Sequence, residues 1–404
     1  MTERPVVAGF DHHAPDFDAV KQYRELRRTC PVGWADAHGG FWILSRYDDI
    51  NAAARDDAVF SSGRDADGRG GIVIPAWNSD TSVPLEMDPP ESVPFRRMLN
   101  AVLYPGAVEP MKPMIREVTT ATIDSFIEQG ACDLINDLTG VVPAAVVGGW
   151  VGFPEEDWEA LARAVHDVFG SVPGTERAER GAAGIKRMAE RAQELVTWRR
   201  AEPGDDVVSF LCAQEVEGRP LTDAEIVSMV KLLVSGGMDT TTSLTGQTLV
   251  YLDAHPDMRA RLRDDPSLLV GATEEFLRVF APSQSMGRTA MADVEVQGCL
   301  IHKGERVLLP WVAANFDETV FTDPDDVVLD RPRNRHMSFG MGVHRCVGAH
   351  LARAMFQEMM RQVLSRLPDY RVDRDRAVAY ASHGNQSGWD SVPAVFTPGA
   401  RVGS

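Results

Sequence analysis

A glycine-rich loop that carries Cys346 has the strongest chemical signature in this sequence. The loop, residues 338–348, reads SFGMGVHRCVG, and its glycines at 340, 342 and 348 let a backbone turn sharply. Apolar periodicity predicts a helix over 347–367, so the thiol lies near a helix N-terminus. The dipole and free amides at such an end stabilise a thiolate. A thiolate on a loop of this kind is a metal ligand or a nucleophile.

Two other interpretations of Cys346 stay open at this point. The cysteine could be an ordinary buried side chain, or it could bind zinc together with His336, His344 and His350. A cysteine-rich zinc site would draw on a second cysteine pair, which this chain lacks. The other cysteines are scattered: Cys30, Cys132, Cys212 and Cys299. An odd number at such spacing is no disulfide framework and fits a reducing cytosol.

A second chemical element, Asp239 followed by Thr240, lies on a predicted long helix. A capping box of Thr222 and Glu225 marks its start, and the apolar periodicity continues to residue 252. At 1.5 Å per residue this helix is about 45 Å long and crosses the molecule. The glycines at 236 and 237 each cost about 1 kcal/mol relative to alanine in a helix interior. Their presence indicates a local kink or a close helix crossing.

The remaining periodicity predicts helices with a few short strands. Helical patterns cover residues 91–103, 113–129, 133–151, 154–172 and 177–199, besides a short helix over 47–55. Alternation predicts strands at 40–44, within 293–311 and in the last 35 residues. Residues 61–86 form a long loop, which is functional or mobile, with plain disorder as the alternative.

The Cys346 loop has the form F-G-x-G-x-H-R-C-x-G and resembles the haem-ligand loop of the cytochrome P450 superfamily. Glu275 and Arg278 resemble its E-x-x-R element, and Arg331 matches the arginine that completes this pair. The resemblance spans roughly residues 85–398 and is strongest to the soluble bacterial camphor-hydroxylase type. It implies a mainly α fold with small β-sheets, forming one haem-enclosing domain over 1–404 with a long central helix.

The same resemblance implies how a haem b group is held. Cys346 would ligate the iron, and Arg288, His344 and Arg96 match positions that contact the propionates. Many members have histidine where this chain has Ser92, which weakens one contact. Further haem contacts are implied at Gly236, Phe339 and Gly348.

The G-G-x-D-T-T run at 236–241 resembles the family element that forms a groove for dioxygen. Asp239 and Thr240 are then the catalytic acid–alcohol pair, with Asp239 relaying protons. Thiolate-ligated haem favours O–O cleavage. The implied activity is a monooxygenase that inserts one oxygen atom from O2 into a small-to-medium hydrophobic molecule.

By family position, a mixture of apolar and polar side chains lines the substrate pocket. The mixture suggests a hydrophobic body with one or two oriented polar groups, as in a terpenoid, an aromatic or a natural-product intermediate. The predicted pocket residues are Ile74, Trp77, Leu232, Gly236, Gln284, Met286 and Gln386.

The net charge of −18 argues against nucleic acid or an anionic membrane as a partner. The sequence has no signal-like start and no run of about 18 apolar residues, so we expect a cytoplasmic protein. Basic residues nevertheless cluster near the haem motifs: Arg96, Arg97, Arg333, Arg335, Arg345, Arg353 and Arg361. Such a patch suggests an acidic iron–sulfur ferredoxin, supplied by a flavin reductase.

Two other functions remain possible on this sequence. One is a peroxide-driven variant of the scaffold, which would not need the Asp239–Thr240 pair. The other is a non-catalytic haem-thiolate sensor or binding protein, which would more often carry a fused output domain or a dimerisation helix.

Overall fold

The computed structural model describes residues 4–76, 80–382 and 384–402. Most of the described chain is helical, as predicted, and the helices are numbered in chain order. They are α1 Ala19–Thr29, α2 Tyr47–Arg55, α3 Ser92–Leu103, α4 Pro105–Val108, α5 Lys112–Phe126, α6 Val141–Val151, α7 Glu155–Phe169, α8 Glu176–Ala201, α9 Val207–Cys212, α10 Asp223–Gly237, α11 Asp239–Ala254, α12 Pro256–Asp264, α13 Leu269–Phe280, α14 Trp311–Asn315 and α15 Ala349–Arg366.

The strands are short and form small sheets. They are β1 Val32–Ala35, β2 Phe41–Leu44, β3 Phe60–Ser61, β4 Ala131–Asp133, β5 Glu215–Val216, β6 Arg219–Pro220, β7 Ser285–Ala290, β8 Val294–Val296, β9 Cys299–Ile301, β10 Arg306–Pro310, β11 Arg371–Val372, β12 Val378–Ala379, β13 Trp389–Ser391 and β14 Pro393–Val395. The largest sheet has the order β1-β2-β10-β7-β3, and a smaller one the order β11-β14-β4.

The large sheet encloses its own apolar core and fixes the position of Arg288. Strands β2 and β10 run parallel, while β10 and β7 are antiparallel with Val307 opposite Arg288. Large buried side chains such as Phe41, Trp42 and Trp311 pack in this core. Because Arg288 lies on the central part of β7, its guanidinium is held by a rigid element.

A helical core surrounds the predicted long helix, which is in fact two helices. Helix α10 ends at Gly237 and α11 begins at Asp239, with Met238 between them at φ −82° and ψ −70°. The Thr240 hydroxyl donates to the Gly236 carbonyl at 2.7 Å. A side-chain hydroxyl that hydrogen-bonds to the carbonyl four residues earlier bends a helix. The helix is therefore interrupted between Gly236 and Thr240.

The structure refines the prediction for two segments. The helix predicted over 133–151 is strand β4, a π-helical turn Ile135–Thr139 and then α6, because the Asp133 carboxylate accepts from the Ile135 and Asn136 amides and caps a new start. In the long 61–86 loop, Arg64 pairs with the buried Glu86 carboxylate at 2.8 Å.

The same Glu86 carboxylate accepts from the Ile72 and Ser82 amides. One buried acid therefore organises the described part of this loop.

Every helix of the described chain is too short or too polar to cross a bilayer.

Candidate active site

The loop before α15 turns at two of its three glycines. Gly340 and Gly342 have φ of 65° and 69°, the left-handed region that glycine adopts without strain. A Cβ on Gly342 would lie 2.3 Å from the Ala54 carbonyl oxygen, so helix α2 leaves no room for a side chain there. Gly348 has an ordinary φ of −83° and forms the N-cap of α15. The chain turns at Val347 and Gly348 without the left-handed backbone conformation that favours glycine.

Cys346 is anchored to the other end of this loop. Its amide donates to the Phe339 carbonyl at 2.8 Å, which closes the loop around the thiol. Burial raises the pKa of the Cys346 thiol, and the Gly348 amide and the Arg96 charge offset only part of this effect. The Gly348 amide at the start of α15 and the Arg96 charge therefore both act in favour of the thiolate form of Cys346.

Phe339 is fixed in turn by cationic and aromatic neighbours. The Arg353 guanidinium lies 4.5 Å above its ring, and the His336 ring is 5.9 Å away. Arg353 also pairs with Glu274 at 2.6 Å, and His336 lies 3.1 Å from the same carboxylate. His336 is thus engaged with Glu274 and directed away from a shared zinc site with Cys346.

Several buried polar groups near the loop lack ordinary protein partners. Arg288 is 2% exposed, and its one hydrogen bond among the described residues goes to the adjacent Gly287 carbonyl at 2.8 Å. Burial lowers the pKa of Arg288 to about 10, with the Asp88 charge opposing that shift. The Nδ1 atom of His344 and the hydroxyl of Ser92 are buried without any described hydrogen-bond partner. Unpaired buried donors of this kind indicate a ligand with acceptor groups.

Two further side chains complete this region. The Asp88 carboxylate lies 3.5 Å from His344 Nε2 and also accepts from the Ser62 amide, so it orients the imidazole. Arg96 is partly buried and donates to the Arg345 carbonyl at 2.6 Å, directly beside the cysteine. Arg96 thus supports the loop backbone, a contact that the sequence does not reveal.

These residues fit a haem. Cys346 supplies the thiol, Arg288, His344 and Ser92 supply donors for carboxylates, and a Cβ on Gly236 would meet no atom within 4 Å. That open space above α10 allows a flat group to approach the helix break. The site therefore holds the residues that a haem-thiolate protein would need.

The carboxylate of Asp239 is buried and fully engaged. It lies 2.8 Å from His166 Nδ1, and the Tyr380 hydroxyl donates to it at 2.8 Å. Gln386 donates to the same carboxylate and to the Ser243 hydroxyl. Sequence reasoning missed His166 and Tyr380, which lie 73 and 141 positions from Asp239 and form no local motif with it.

A second layer links Asp239 to the protein surface. His166 Nε2 lies 3.2 Å from Asp390, which Arg177 holds with two contacts of 2.6 Å. Burial alone would lower the pKa of His166, but the hydrogen bonds to Asp239 and Asp390 outweigh it and raise the pKa to about 9. His166 is therefore a cation at neutral pH, flanked by a buried and a half-buried carboxylate.

The E-x-x-R element forms a buried ion triad. Glu275 and Arg278 are both fully buried on α13 and pair at 2.8 Å, and Arg331 contacts the same carboxylate at 3.0 Å. Arg278 also donates to the Asn315 and Pro324 carbonyls. Asn315 contacts Ser338 at 2.8 Å, so the triad is connected to the start of the Cys346 loop.

The predicted pocket residues do not share one environment. Leu232 and Met286 are partly exposed, but Ile74 is 3% exposed and packs in the sheet core against β7. The Gln284 amide donates to the Ala281 carbonyl at 2.6 Å, so it is not free to orient a substrate.

The Gln386 side-chain amide nitrogen likewise donates a hydrogen bond to the Asp239 carboxylate. Both amides were expected to be free polar groups of the pocket wall. The amide nitrogens of both side chains instead donate to buried acceptors inside the protein. Trp77 lies outside the described residues.

A surface depression of about 690 Å³ lies on the outer side of the Cys346 loop. The loop residues 339–343 line it together with Arg55, Arg345 and Arg353. Within the predicted basic patch, Arg353 is engaged with Glu274 and Arg361 with Glu358. The remaining exposed members are Arg97, Arg333, Arg335 and Arg345.

Comparison with known proteins agrees with this geometry. The family model described as Cytochrome P450 matches residues 267–368. A steroid C26-monooxygenase of Mycolicibacterium smegmatis is 35% identical over 96% of this chain and 95% of its own length. A Mycobacterium tuberculosis protein of the same name is 34% identical and covers 100% of both chains.

Solved structures give the same result. A Mycobacterium marinum cytochrome P450 in complex with pseudoionone aligns with a TM-score of 0.89 and 29% identity, covering 98% of this chain and 100% of that one. The chain therefore belongs to the cytochrome P450 family. It is a monooxygenase of the bacterial type that depends on haem and O2.

Proposed function

We propose that this enzyme takes electrons from a ferredoxin and inserts one oxygen atom into a large apolar molecule of the steroid or terpenoid class. The cofactor is haem b, bound through Cys346, and the reducing equivalents originate from NAD(P)H through a ferredoxin reductase. The observation that carries this proposal is the chain of contacts from Asp390 through His166 to Asp239. A reductant-driven monooxygenase consumes protons at its centre, whereas a peroxide-driven enzyme receives them with the peroxide.

The haem, when bound, supplies dioxygen activation, and its thiolate ligand favours O–O cleavage. Cys346 would provide that ligand, while Arg288, His344 and Ser92 would donate to the two carboxylates of the porphyrin. Arg288 is suited to this role because its guanidinium is buried with only the Gly287 carbonyl as a described partner. A charge-assisted contact to an acid would therefore satisfy donors that folding leaves unpaired.

Asp239 and Thr240 are the first two residues of α11, directly after the helix break. The Thr240 hydroxyl lies beside the open space at Gly236 and holds a proton for the reacting oxygen. Asp239 accepts a proton from His166 and passes it towards Thr240. His166 recovers the proton at its Nε2 side, next to the partly exposed Asp390.

The substrate class is inferred from the walls and from the relatives. Leu232 and Met286 are apolar, and the Gln284 and Gln386 amides are engaged inside the protein. A pocket wall with such side chains recognises a substrate by its apolar area and its shape more than by its polar groups. Two relatives are named steroid C26-monooxygenases, which supports a rigid apolar substrate of that size.

The electron donor is inferred from the depression outside the Cys346 loop. The depression carries positively charged arginines on a chain whose net charge is −18. Electrostatic attraction therefore steers an acidic protein to this face. We place the enzyme in the cytoplasm, since its cysteines form no disulfide within the described chain.

The test compares electron sources on one preparation. The carbon monoxide difference spectrum of the reduced protein reports thiolate ligation, with Cys346→Ala as the control that loses it. Sterols, steroids and terpenoids are then screened for the ferric low- to high-spin shift. The best binder is incubated with NADH, reductase and ferredoxin, or with peroxide alone. Product from peroxide alone at equal yield would overturn the ferredoxin-dependent mechanism.

A further inference from the structure

A cluster of imidazole and carboxylate side chains lies in the N-terminal region, outside the active site. Asp11, His12 and His38 each present one ligand atom, and these atoms all lie within 4.8 Å of one another. Asp11 and His12 precede α1, while His38 lies in the turn between β1 and β2. Two segments that are distant in sequence therefore bring their coordinating groups to one point.

His12 is the unusual member of this cluster. It is 0% exposed, and neither ring nitrogen has a hydrogen-bond partner among residues 4–76, 80–382 and 384–402. Its surroundings include the Phe41 ring at 5.3 Å and the His13 ring at 4.4 Å. Native proteins rarely leave a buried donor and a buried lone pair unsatisfied together. The ring nitrogens of His12 therefore remain available to a ligand that the described residues do not supply.

The adjacent histidine shows the contrast. His13 Nδ1 lies 3.1 Å from the Ser382 hydroxyl, and His13 Nε2 lies 3.0 Å from the Ile74 carbonyl. His13 thus behaves as an ordinary structural histidine with both nitrogens used. The Ile74 carbonyl also faces His12, but its hydrogen bond goes to His13.

His38 and Asp11 form the open side of the cluster. His38 Nε2 lies 2.8 Å from Asp11 Oδ1, and the two side chains are 20% and 39% exposed. His38 has a φ of 54°, a conformation that is uncommon outside glycine and often marks functional positions. The cluster is therefore partly open to solvent on the side of His38 and Asp11.

We propose that Asp11, His12 and His38 bind one divalent transition-metal ion of the Zn²⁺ type. Two imidazole nitrogens and one carboxylate oxygen suit Zn²⁺ and its neighbours, whereas Ca²⁺ and Mg²⁺ prefer sets made of oxygen alone. With bonds of about 2.0–2.1 Å, tetrahedral ligand atoms lie roughly 3.3 Å apart. The two partly exposed side chains can close that gap by rotation, with water as a fourth ligand.

The site would tie the N-terminal segment to the β1–β2 turn. His13, next in sequence to His12, already contacts Ile74 in the 61–86 loop and Ser382 near the C-terminal strands. Metal binding at Asp11, His12 and His38 would therefore brace the region where these segments meet.

The experiment uses the haem-loaded protein, stripped of loose metal with a chelating resin and titrated with ZnCl2 against a chromophoric chelator. We expect one Zn²⁺ per chain. His38→Asn tolerates the left-handed backbone, and Asp11→Asn still accepts from the His13 amide. Both variants should bind Zn²⁺ at least tenfold more weakly.

The matched control is His302→Asn, because His302 forms a similar exposed pair with Asp293 at 3.4 Å. Its affinity should equal that of the unchanged protein. Anomalous diffraction from a Zn²⁺-soaked crystal should place the ion between Asp11, His12 and His38, a result that does not depend on the variants folding. The proposal fails if no stoichiometric Zn²⁺ binds, if both variants keep full affinity, or if the ion lies elsewhere. None of these readouts involves turnover, so they are independent of the proposed function.

Discussion

Three side chains from distant parts of the chain hold the Asp239 carboxylate: His166, Tyr380 and Gln386. Of these, only His166 carries charge, and only His166 touches a second carboxylate nearer the surface. Tyr380 donates a proton that is hard to remove, because burial and the Asp239 charge raise its pKa well above the usual value. His166 is therefore the group that can exchange protons with solvent at neutral pH.

Replacing His166 by Gln should lower turnover several-fold and remove the alkaline limb of the rate profile. In the unchanged protein the pKa of His166 is about 9, so its proton is present at neutral pH and lost as pH rises through 9. Rates are measured from pH 6 to 10, with His166→Lys as the variant that keeps the cation. An alkaline limb that is identical in His166→Gln and unchanged protein would contradict the relay.

The same residue makes stability depend on pH. Because the folded pKa of His166 is raised above its ordinary 6.5, its contribution is complete below pH 6.5 and is lost as pH rises through about 9. Urea denaturation of unchanged protein and His166→Gln should give a difference on the order of 1–3 kcal/mol at pH 6.5 that shrinks by pH 9.5. A difference that stays constant across this range would refute the assignment.

Replacing Thr240 by Ala should divert reducing equivalents into peroxide. The substitution removes the hydroxyl beside the open space at Gly236, together with its hydrogen bond to the Gly236 carbonyl. The ratio of product formed to NADH consumed should fall several-fold while NADH oxidation continues, and Thr240→Ser should restore most of it. Equal coupling in Thr240→Ala and unchanged enzyme would remove Thr240 from the mechanism.

At the scale of elements, the buried triad joins α13 to the segment before the Cys346 loop. Glu275 neutralises Arg278 and Arg331, and both arginines also donate to backbone carbonyls at 322–326. The triad thereby fixes a stretch that has no regular secondary structure of its own. Glu275 and Arg278 are fully buried, so water cannot solvate their charges. The opposite charges of the triad therefore stabilise one another.

Replacing Glu275 by Gln should therefore destabilise the fold by about 3–5 kcal/mol, since it leaves buried guanidinium groups without a counter-charge. We expect little haem-loaded protein, measured as the ratio of Soret to 280 nm absorbance. The matched control is Glu159→Gln, which breaks an exposed pair with Arg163 at 2.9 Å and should cost less than about 1 kcal/mol. Similar haem content in the two variants would show that the triad is dispensable.

At the scale of the whole molecule, an acidic chain presents a basic face beside its thiolate loop. Reversing one exposed charge of the depression, Arg55→Glu, should raise the KM for ferredoxin several-fold, and the difference from unchanged enzyme should shrink at high salt. Lys186→Glu changes the net charge equally on α8, which does not line the depression. Equal KM values for the two variants would contradict docking at this face.

The sequence by itself determined those features whose physics is local. The thiol loop, the capping box and the E-x-x-R pair depend on neighbours a few positions away, so their residue types and spacing identify them. The mainly helical fold follows from the 3.6-residue periodicity. The single domain over 1–404 stays a prediction of the sequence, as do the roles of Asp239 and Thr240.

Only the tertiary structure decided which polar groups are consumed by the fold and which are left for ligands. Gln284 and Gln386 have the composition of pocket residues, yet their amides satisfy internal acceptors, while Arg288 and His12 are buried with almost none. Gln386 and its partner Asp239 lie 147 positions apart, and such a pair leaves no periodic trace in a sequence. Their geometry is set by how helices and strands pack, and so is the charge state of every group they surround.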